Sequence, residues 1–525
     1  MKKLFRYLLY ILPLVLCFSY YPLIKLGENE TMYFELSLPL LFLVVFDIVG
    51  LFLTVKKYRE KLFKMILGSI WWWMFPFFVS FSAIWSLNPL RALLTVGVMW
   101  LLVFAVVFIY LLREYLDSKF WVVFLRWFFA STLLVCFWCI LQCILDVSGV
   151  SQDVSLLCDG CVSRMFGFPH PNGFAIEPQF MGNLLLAPIN VVVWMIINNT
   201  CNTSGASLWC NQRLYTKASP LRRKNHRFFL DVPQYLQVLL FILSCTLFLT
   251  MSRGAIYACV VGLCFLFSFM YFRAKKTDRK KVCFSILKSI GVFIVAFLFT
   301  LNLQGILASV SPTQDTYGTG VAKVLNQLSL GVIDVRDETE KKTEKSSDKE
   351  GASVENSEKT EGKTDGAENG VVENSGNTTT KAVFDGYVAE STDTRIRLSN
   401  AALTVWRKDF KTVMVGVGIG GAGQALFDNG FSPAPREIVQ NEYVSLLLET
   451  GLIGVFLFVA MMILVIRVFL RNKNAGMLLA LLVAYGVSLL FFSGLTNALQ
   501  IVLLPGILYH LDRAFGLSDK NKAKK

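Results

Sequence analysis

The chain has 525 residues, of which 54% are hydrophobic and 14% aromatic, with 44 Phe. That is far more apolar surface than one water-soluble core can bury, so a soluble domain is excluded and an integral membrane protein is expected. Lys and Arg outnumber Asp and Glu by 51 to 37, a formal net charge of +14, but the excess is spread over short connectors rather than gathered in a basic domain. This pattern argues against nucleic acid and for contact with anionic membrane lipid.

Apolar runs of about 20 residues, enough to cross roughly 30 Å of hydrocarbon, predict about twelve transmembrane helices. They fall near 4–24, 33–54, 62–84, 91–112, 120–144, 173–197, 234–251, 255–272, 282–303, 444–470, 476–496 and 499–514. The first run follows Lys2 and Lys3 as a signal peptide would, yet no small-residue cleavage site follows it, and it is read as a helix. Basic residues occupy every second connector: Met1 to Lys3, Lys56 to Lys64, Arg113 to Lys119, Arg213 to Arg227, Arg273 to Lys281, Arg471 to Lys473 and Lys520 to Lys525. Positive connectors are retained in the cytoplasm, which puts both termini inside.

The expected organisation is an all-α polytopic fold with one large extracytoplasmic loop. Residues 1–303 form an N-terminal bundle of about nine helices, 304–443 the outer loop, 444–514 the last membrane helices and 515–525 a basic cytoplasmic tail. Within the loop, 334–381 is nearly devoid of large apolar residues and is read as a disordered insertion. Ile396, Leu398, Ala401, Ala402, Val405 and Trp406 then make an apolar stripe, predicting a surface helix over about 395–408. Most cysteines sit inside apolar runs as small hydrophobes. Cys158 and Cys161 fall in an outer loop, as a local disulfide or as free thiols; no second CxxC and no nearby His pair supports a metal. No cofactor is expected.

Gly416, Gly418 and Gly421 satisfy the GxGxxG pattern of dinucleotide-binding folds. The pattern needs a strand before it and a helix after it, whereas this run follows a helix, so it is read as a tight turn that could approach a substrate. Arg253 lies where two apolar spans meet on the outer side, a place that suits either an interfacial anchor or a working charge. Arg395 and Arg397 come from the surface helix, whose solvated face would also hold them. Converging guanidiniums bind phosphate oxygens through a planar fork and stay charged, so these arginines can clamp a pyrophosphate without a metal.

Four segments together resemble the superfamily of O-antigen ligases and Wzy-type polymerases: LTMSRGA at Leu249 to Ala255, Arg395 followed by Ala401 to Leu403, GVGIGG at Gly416 to Gly421, and NEYVSLLLETGLIG from Asn441. The resemblance covers roughly Asn172 to Leu470. It implies a GT-C-like helical membrane fold and an enzyme that transfers an oligosaccharide from an undecaprenyl pyrophosphate carrier on the outer face of the cytoplasmic membrane. Arg253 and Arg395 would neutralise the departing pyrophosphate. Where the family usually has a His before the Asn and Tyr of the last motif, this chain has Gln440, which cannot accept a proton. Glu442 and His170, in RMFGFPHPN from Arg164 to Asn172, are the candidate replacements for that base; Asn441 and Tyr443 are candidate sugar ligands, with Arg164 and Arg397 as further binding candidates.

The implied partners are a lipid-linked oligosaccharide donor, a glycan, lipid or protein acceptor, and membrane lipids. A multi-span transporter or lipid-linked glycan flippase is the competing reading, kept open by Glu177 and Asn183 in the sixth span; a carrier concentrates ionisable residues at mid-membrane. An inactive family member, suggested by Gln440, is the third.

Overall fold

The computed structural model describes residues 1–18, 22–26, 34–68, 70–148, 171–175, 178–201, 233–310, 394–435, 437–492 and 499–513. Arg164, His170, Glu177, Cys158, Cys161, the Arg213 to Arg227 connector, the 334–381 insertion and the basic tail lie outside these residues.

Along the chain, α1 (Lys2–Leu16) is followed by a hairpin of β1 (Pro22–Leu26) and β2 (Phe34–Ser37), then α2 (Leu38–Gly68), α3 (Trp71–Ser82), α4 (Pro89–Leu111), α5 (Ser118–Val147), α6 (Pro178–Cys201), α7 (Pro233–Leu249), α8 (Arg253–Arg273) and α9 (Arg279–Val310). Then come α10 (394–406), α11 (Phe410–Val415), α12 (Ala422–Asp428), α13 (Glu442–Leu470), α14 (Ala475–Ser488) and α15 (Leu499–Leu508). Among the described residues, 7 helices are long and apolar enough to cross a membrane, lying within α2, α4, α5, α6, α8, α9 and α13. Shorter apolar helices, Gln234–Leu249, Ala475–Ser488 and Leu499–Leu511, pack among them.

The elements depart from the expected spans in three places. The first run is helical only to Leu16, and Pro22–Leu26 pairs antiparallel with Phe34–Ser37 instead of continuing it. α2 runs on to Gly68 but breaks at Tyr58 (φ −124°, ψ 18°), inside the Lys56 to Lys64 connector. α14 stops at Ser488, well before residue 496.

The basic connectors come together at one end of the bundle. Arg6 donates from Nε to the Tyr115 carbonyl (2.7 Å) and faces Asp117 (3.7 Å), and Lys61 pairs with Glu114 (3.1 Å), which also accepts from the Tyr58 hydroxyl (2.8 Å). Lys2 and Lys57 lie over the Tyr115 ring. His510 meets Trp121 and Tyr110 at this end, and Asn472 donates to the Tyr509 carbonyl. The ends of α4, α13 and α15 and the starts of α1 and α5 therefore share one side, and the start of α13 lies at the other.

The core is held by close helix contacts. α6 is buried along almost its whole length. A Cβ on Gly182 would press on Ala255 of α8, and one on Gly262 would press on Ala480 and Ala484 of α14. Lipid is as apolar as Leu, so helices in a bilayer associate through such close backbone approach. Large apolar side chains face outward on α9 (Val295, Leu298) and α13 (Phe456, Val459), as they do on a lipid-facing surface.

Candidate functional site

The site is built at the end of the bundle where α6, α8 and α13 start. Ser252 caps α8, its Oγ accepting from the Ala255 N–H (3.4 Å) and satisfying one orphan donor of the first turn. Met251, just before the cap, has φ 49° and, among the described residues, is the non-glycine with positive φ. Such a backbone is uncommon for an unbranched apolar residue and is held here by burial on all sides. The tight turn makes Arg253 the first residue of α8, half-buried. Gly254 lies against Phe491 and Gln179, and Gln179 donates from Nε2 to the Phe491 carbonyl (2.8 Å). This ties the starts of α6 and α8 to the segment after α14.

Arg395 reaches the same neighbourhood from α10. Leu398, Ala401, Ala402 and Val405 of α10 are buried against Ala422, Ala425 and Leu426 of α12 and against Val439 and Leu448. The predicted stripe is thus covered by protein, with Ile396 left exposed. Arg395 is half-buried and its charge acts on Arg253. Arg397, two residues along and so on another face of the helix, is exposed. The structure brings Arg253 and Arg395 together.

The last motif starts α13 beside them. Asn441 is the N-cap, its Oδ1 accepting from the N–H groups of Tyr443 (3.1 Å) and Val444 (3.2 Å). The Glu442 N–H donates to the carbonyls of Leu489 (3.0 Å) and Phe492 (3.2 Å). The Tyr443 hydroxyl donates to the Gly486 carbonyl (2.8 Å). Of the two residues read from sequence as candidate sugar ligands, Asn441 thus caps α13 itself and Tyr443 seats α13 on α14 through its hydroxyl. Gln440 and Glu442 are half-buried at the same corner, which also holds Phe491 against Gly254.

The glycine run is the tight turn expected of it. Gly416, Gly418 and Gly420 all have positive φ, a region open to glycine without steric cost. A Cβ on Gly416 would run into the Glu449 backbone, and one on Gly418 into the Ser86 backbone. α13 is broken at Gly451 (φ 63°, ψ −169°), which frees carbonyls that an unbroken helix would satisfy. The turn takes them: Val417 N–H donates to the Leu448 carbonyl (2.9 Å) and Gly418 N–H to the Glu449 carbonyl (2.9 Å). On its other side Ser86 Oγ donates to the Ile419 carbonyl (2.8 Å) and Ile419 N–H donates to Ser82 Oγ (3.2 Å). The close approach is to protein backbone.

Sequence reasoning missed three participants and one buried acid outside the corner. Gln179 carries no motif of its own, and the Gly451 break lies inside the last motif without being announced by it. Arg91, at the start of α4, packs against Gly420 and reads from sequence as an ordinary span flank. Asp47 is buried in α2, and both its carboxylate oxygens lack a hydrogen-bond partner among the described residues; one acid inside a run of Leu, Val and Phe was the only signal it gave.

Fold and site define a helical membrane protein with an arginine-bearing corner at one end of its bundle. Residues 238–459 match the family model described as O-antigen ligase. This match, over less than half of the chain, supports membership of the O-antigen ligase superfamily and suggests a membrane glycosyltransferase-like role. The matched region runs from α7 into α13 and so contains the SRGA turn, α10, the glycine turn and the Gln440 to Tyr443 motif. A search of curated proteins found no match to the chain.

Proposed function

We propose that the protein transfers an oligosaccharide from an undecaprenyl pyrophosphate carrier to an acceptor hydroxyl, polymerising or ligating glycan on the outer face of the cytoplasmic membrane. In this reading the chain crosses the membrane about twelve times with both termini inside, and the paired basic–aromatic end is the cytoplasmic one. The observation that carries it is the convergence of Arg253 and Arg395 from separate elements. Two like charges held in one neighbourhood raise each other's energy, and a dianionic ligand between them reverses that cost.

The acceptor oxygen attacks the anomeric carbon, the bond from that carbon to the phosphate oxygen breaks, and the electron pair leaves with the pyrophosphate. Arg253 and Arg395 bind the oxygens on which charge accumulates, so they stabilise the transition state more than the bound donor. Gln440, with both donor and acceptor atoms, orients the nucleophile, and the carboxylate of Glu442 takes its proton. Arg397 meets the solvent side of the glycan, and this reading also assigns Arg164 and His170 to glycan binding.

The test is transfer from a labelled undecaprenyl-pyrophosphate oligosaccharide by the purified full chain. Loss of transfer in Arg253→Ala and in Arg395→Ala, with transfer kept or raised in Gln440→His, is the expected result. Absence of transfer by the wild type across several donors and acceptors overturns the proposal. The carrier reading would then gain from Asp47, an acid within a membrane helix that has no partner among the described residues.

A further inference from the structure

The glycine turn is a cradle for a carboxyl group, and the group it holds is the protein's own. Glu449 Oε1 accepts from the Ala422 N–H (3.4 Å), and its carboxylate also takes the Gly420 N–H. Arg91 is the cation that acts on this carboxylate, and its Cγ lies against Gly420. Backbone and side chain of one residue are thus used together: the Glu449 carbonyl takes Gly418, and its carboxylate takes the next turn of chain. Two residues later the helix breaks at Gly451.

The consequence reaches the arginines. α10, which carries Arg395, is packed on α12 and Val439 and reaches the membrane bundle through Leu448 and the turn. Ile419, within that turn, is buried with Phe75, Val79 and Ala92 of α3 and α4 and with Leu446 and Leu457 of α13. Arg253, by contrast, is set by the Ser252 cap on α8. The separation of the two guanidiniums therefore depends on how the turn is seated against α4 and α13.

We propose that Glu449, with Arg91, is a positioning pair: by clasping the turn from Gly418 to Ala422 it sets Arg395 relative to Arg253 for the transfer reaction. It touches neither donor nor acceptor. The proposal rests on the glycosyltransferase reading for its effect on rate, but the clasp itself does not.

Two measurements separate them. Hydrogen exchange on the full chain in nanodiscs reads the clasp directly, with Glu449→Ala expected to speed exchange at Gly416 to Asp428 and along α10 while α6 and α8 keep wild-type protection. Unchanged exchange in the turn overturns the clasp whether or not the protein is a transferase. Steady-state transfer reads the positioning. Glu449→Ala is expected to lower kcat about 10²-fold, as a misplacement on the order of 1 Å does, with KM for the donor little changed. Glu449→Gln, which keeps an acceptor for the N–H groups, recovers most of that loss. In an Arg395→Ala background the same Glu449→Ala change costs nothing further, because both act through one interaction. Equal losses in both backgrounds, or a loss matched by lower folded yield in Glu449→Gln, overturn the positioning role. A wild type that transfers nothing defeats the transferase reading and with it the effect on rate, while exchange still decides the clasp.

Discussion

The two ends of the bundle use the same residue types in opposite ways. At one end Arg6 faces Asp117, Lys61 pairs with Glu114, and Lys2 and Lys57 cover the Tyr115 ring; cations are spread out and matched with carboxylates and aromatic faces. At the other end Arg253 and Arg395 act on each other, delivered by a capped helix and by a separately packed platform. The first arrangement is that of a surface made comfortable in water and headgroups. In the proposed transfer reaction the second gathers positive charge for the pyrophosphate, and the seating of α10 through the glycine turn holds that spacing.

The largest expected effect follows from this contrast. Arg253→Ala and Arg395→Ala should each lower kcat by roughly 10²–10³, the cost of removing one preorganised partner of developing negative charge. The double variant should lose little more than the worse single one, since one pyrophosphate is shared. Steady-state transfer with the lipid-linked donor measures it. Full additivity would mean that the two arginines serve separate steps.

Next comes the seating. Gly418 has φ 89°, and a Cβ there would run into the Ser86 backbone, so Gly418→Ala should cost roughly 1–3 kcal/mol in backbone conformation alone. It should loosen the outer end and leave the opposite end folded. Limited proteolysis or hydrogen exchange resolved by segment would show this, and uniform protection across the chain would mean that the turn is not the tie between platform and bundle.

Between the ends lies Asp47, with neither carboxylate oxygen partnered among the described residues. A buried polar group left unsatisfied costs about 1–3 kcal/mol on mutational scales, so Asp47→Leu should raise thermal stability by that order and leave transfer unchanged. A thermal melt alongside the transfer assay reads both. Loss of function without loss of fold would assign work to the middle of the membrane and favour a carrier.

What could be read in advance tracks how local each cause is. Arg253 was legible because SRGA interrupts two apolar runs, and the α10 stripe because Leu398, Ala401, Ala402 and Val405 repeat at helical spacing; all four are buried. The glycines announced a turn, but what they approach depends on Ser82, Ser86 and Glu449, two of them more than 300 positions away, as the 337 residues between Ile419 and Ser82 illustrate. The Asn441 cap is local, but an Asn before a helix reads equally as a cap or a ligand, and only the Gly486 carbonyl on α14 decides where the Tyr443 hydroxyl goes. Gly451 stood inside the last motif, but the break did not show there, since one glycine in an apolar helix is ordinary within a membrane.

The smallest expected effect belongs to the paired end and is informative because it is small. Lys61 and Glu114 are both more than half exposed (59% and 53%), and exposed pairs contribute about 0–1 kcal/mol. Lys61→Ala should therefore shift thermal stability by less than about 1 kcal/mol and leave transfer unaltered, because Tyr58 still donates to Glu114 (2.8 Å) and the arginines lie at the far end of the helices. A transfer assay in neutral and anionic bilayers checks this: weaker membrane insertion in anionic lipid would still agree with a headgroup-facing surface. A fall in kcat as steep as that of Arg395→Ala would show that the two ends are coupled along α2 and α4, and would dissolve the distinction between a surface that anchors and a corner that works.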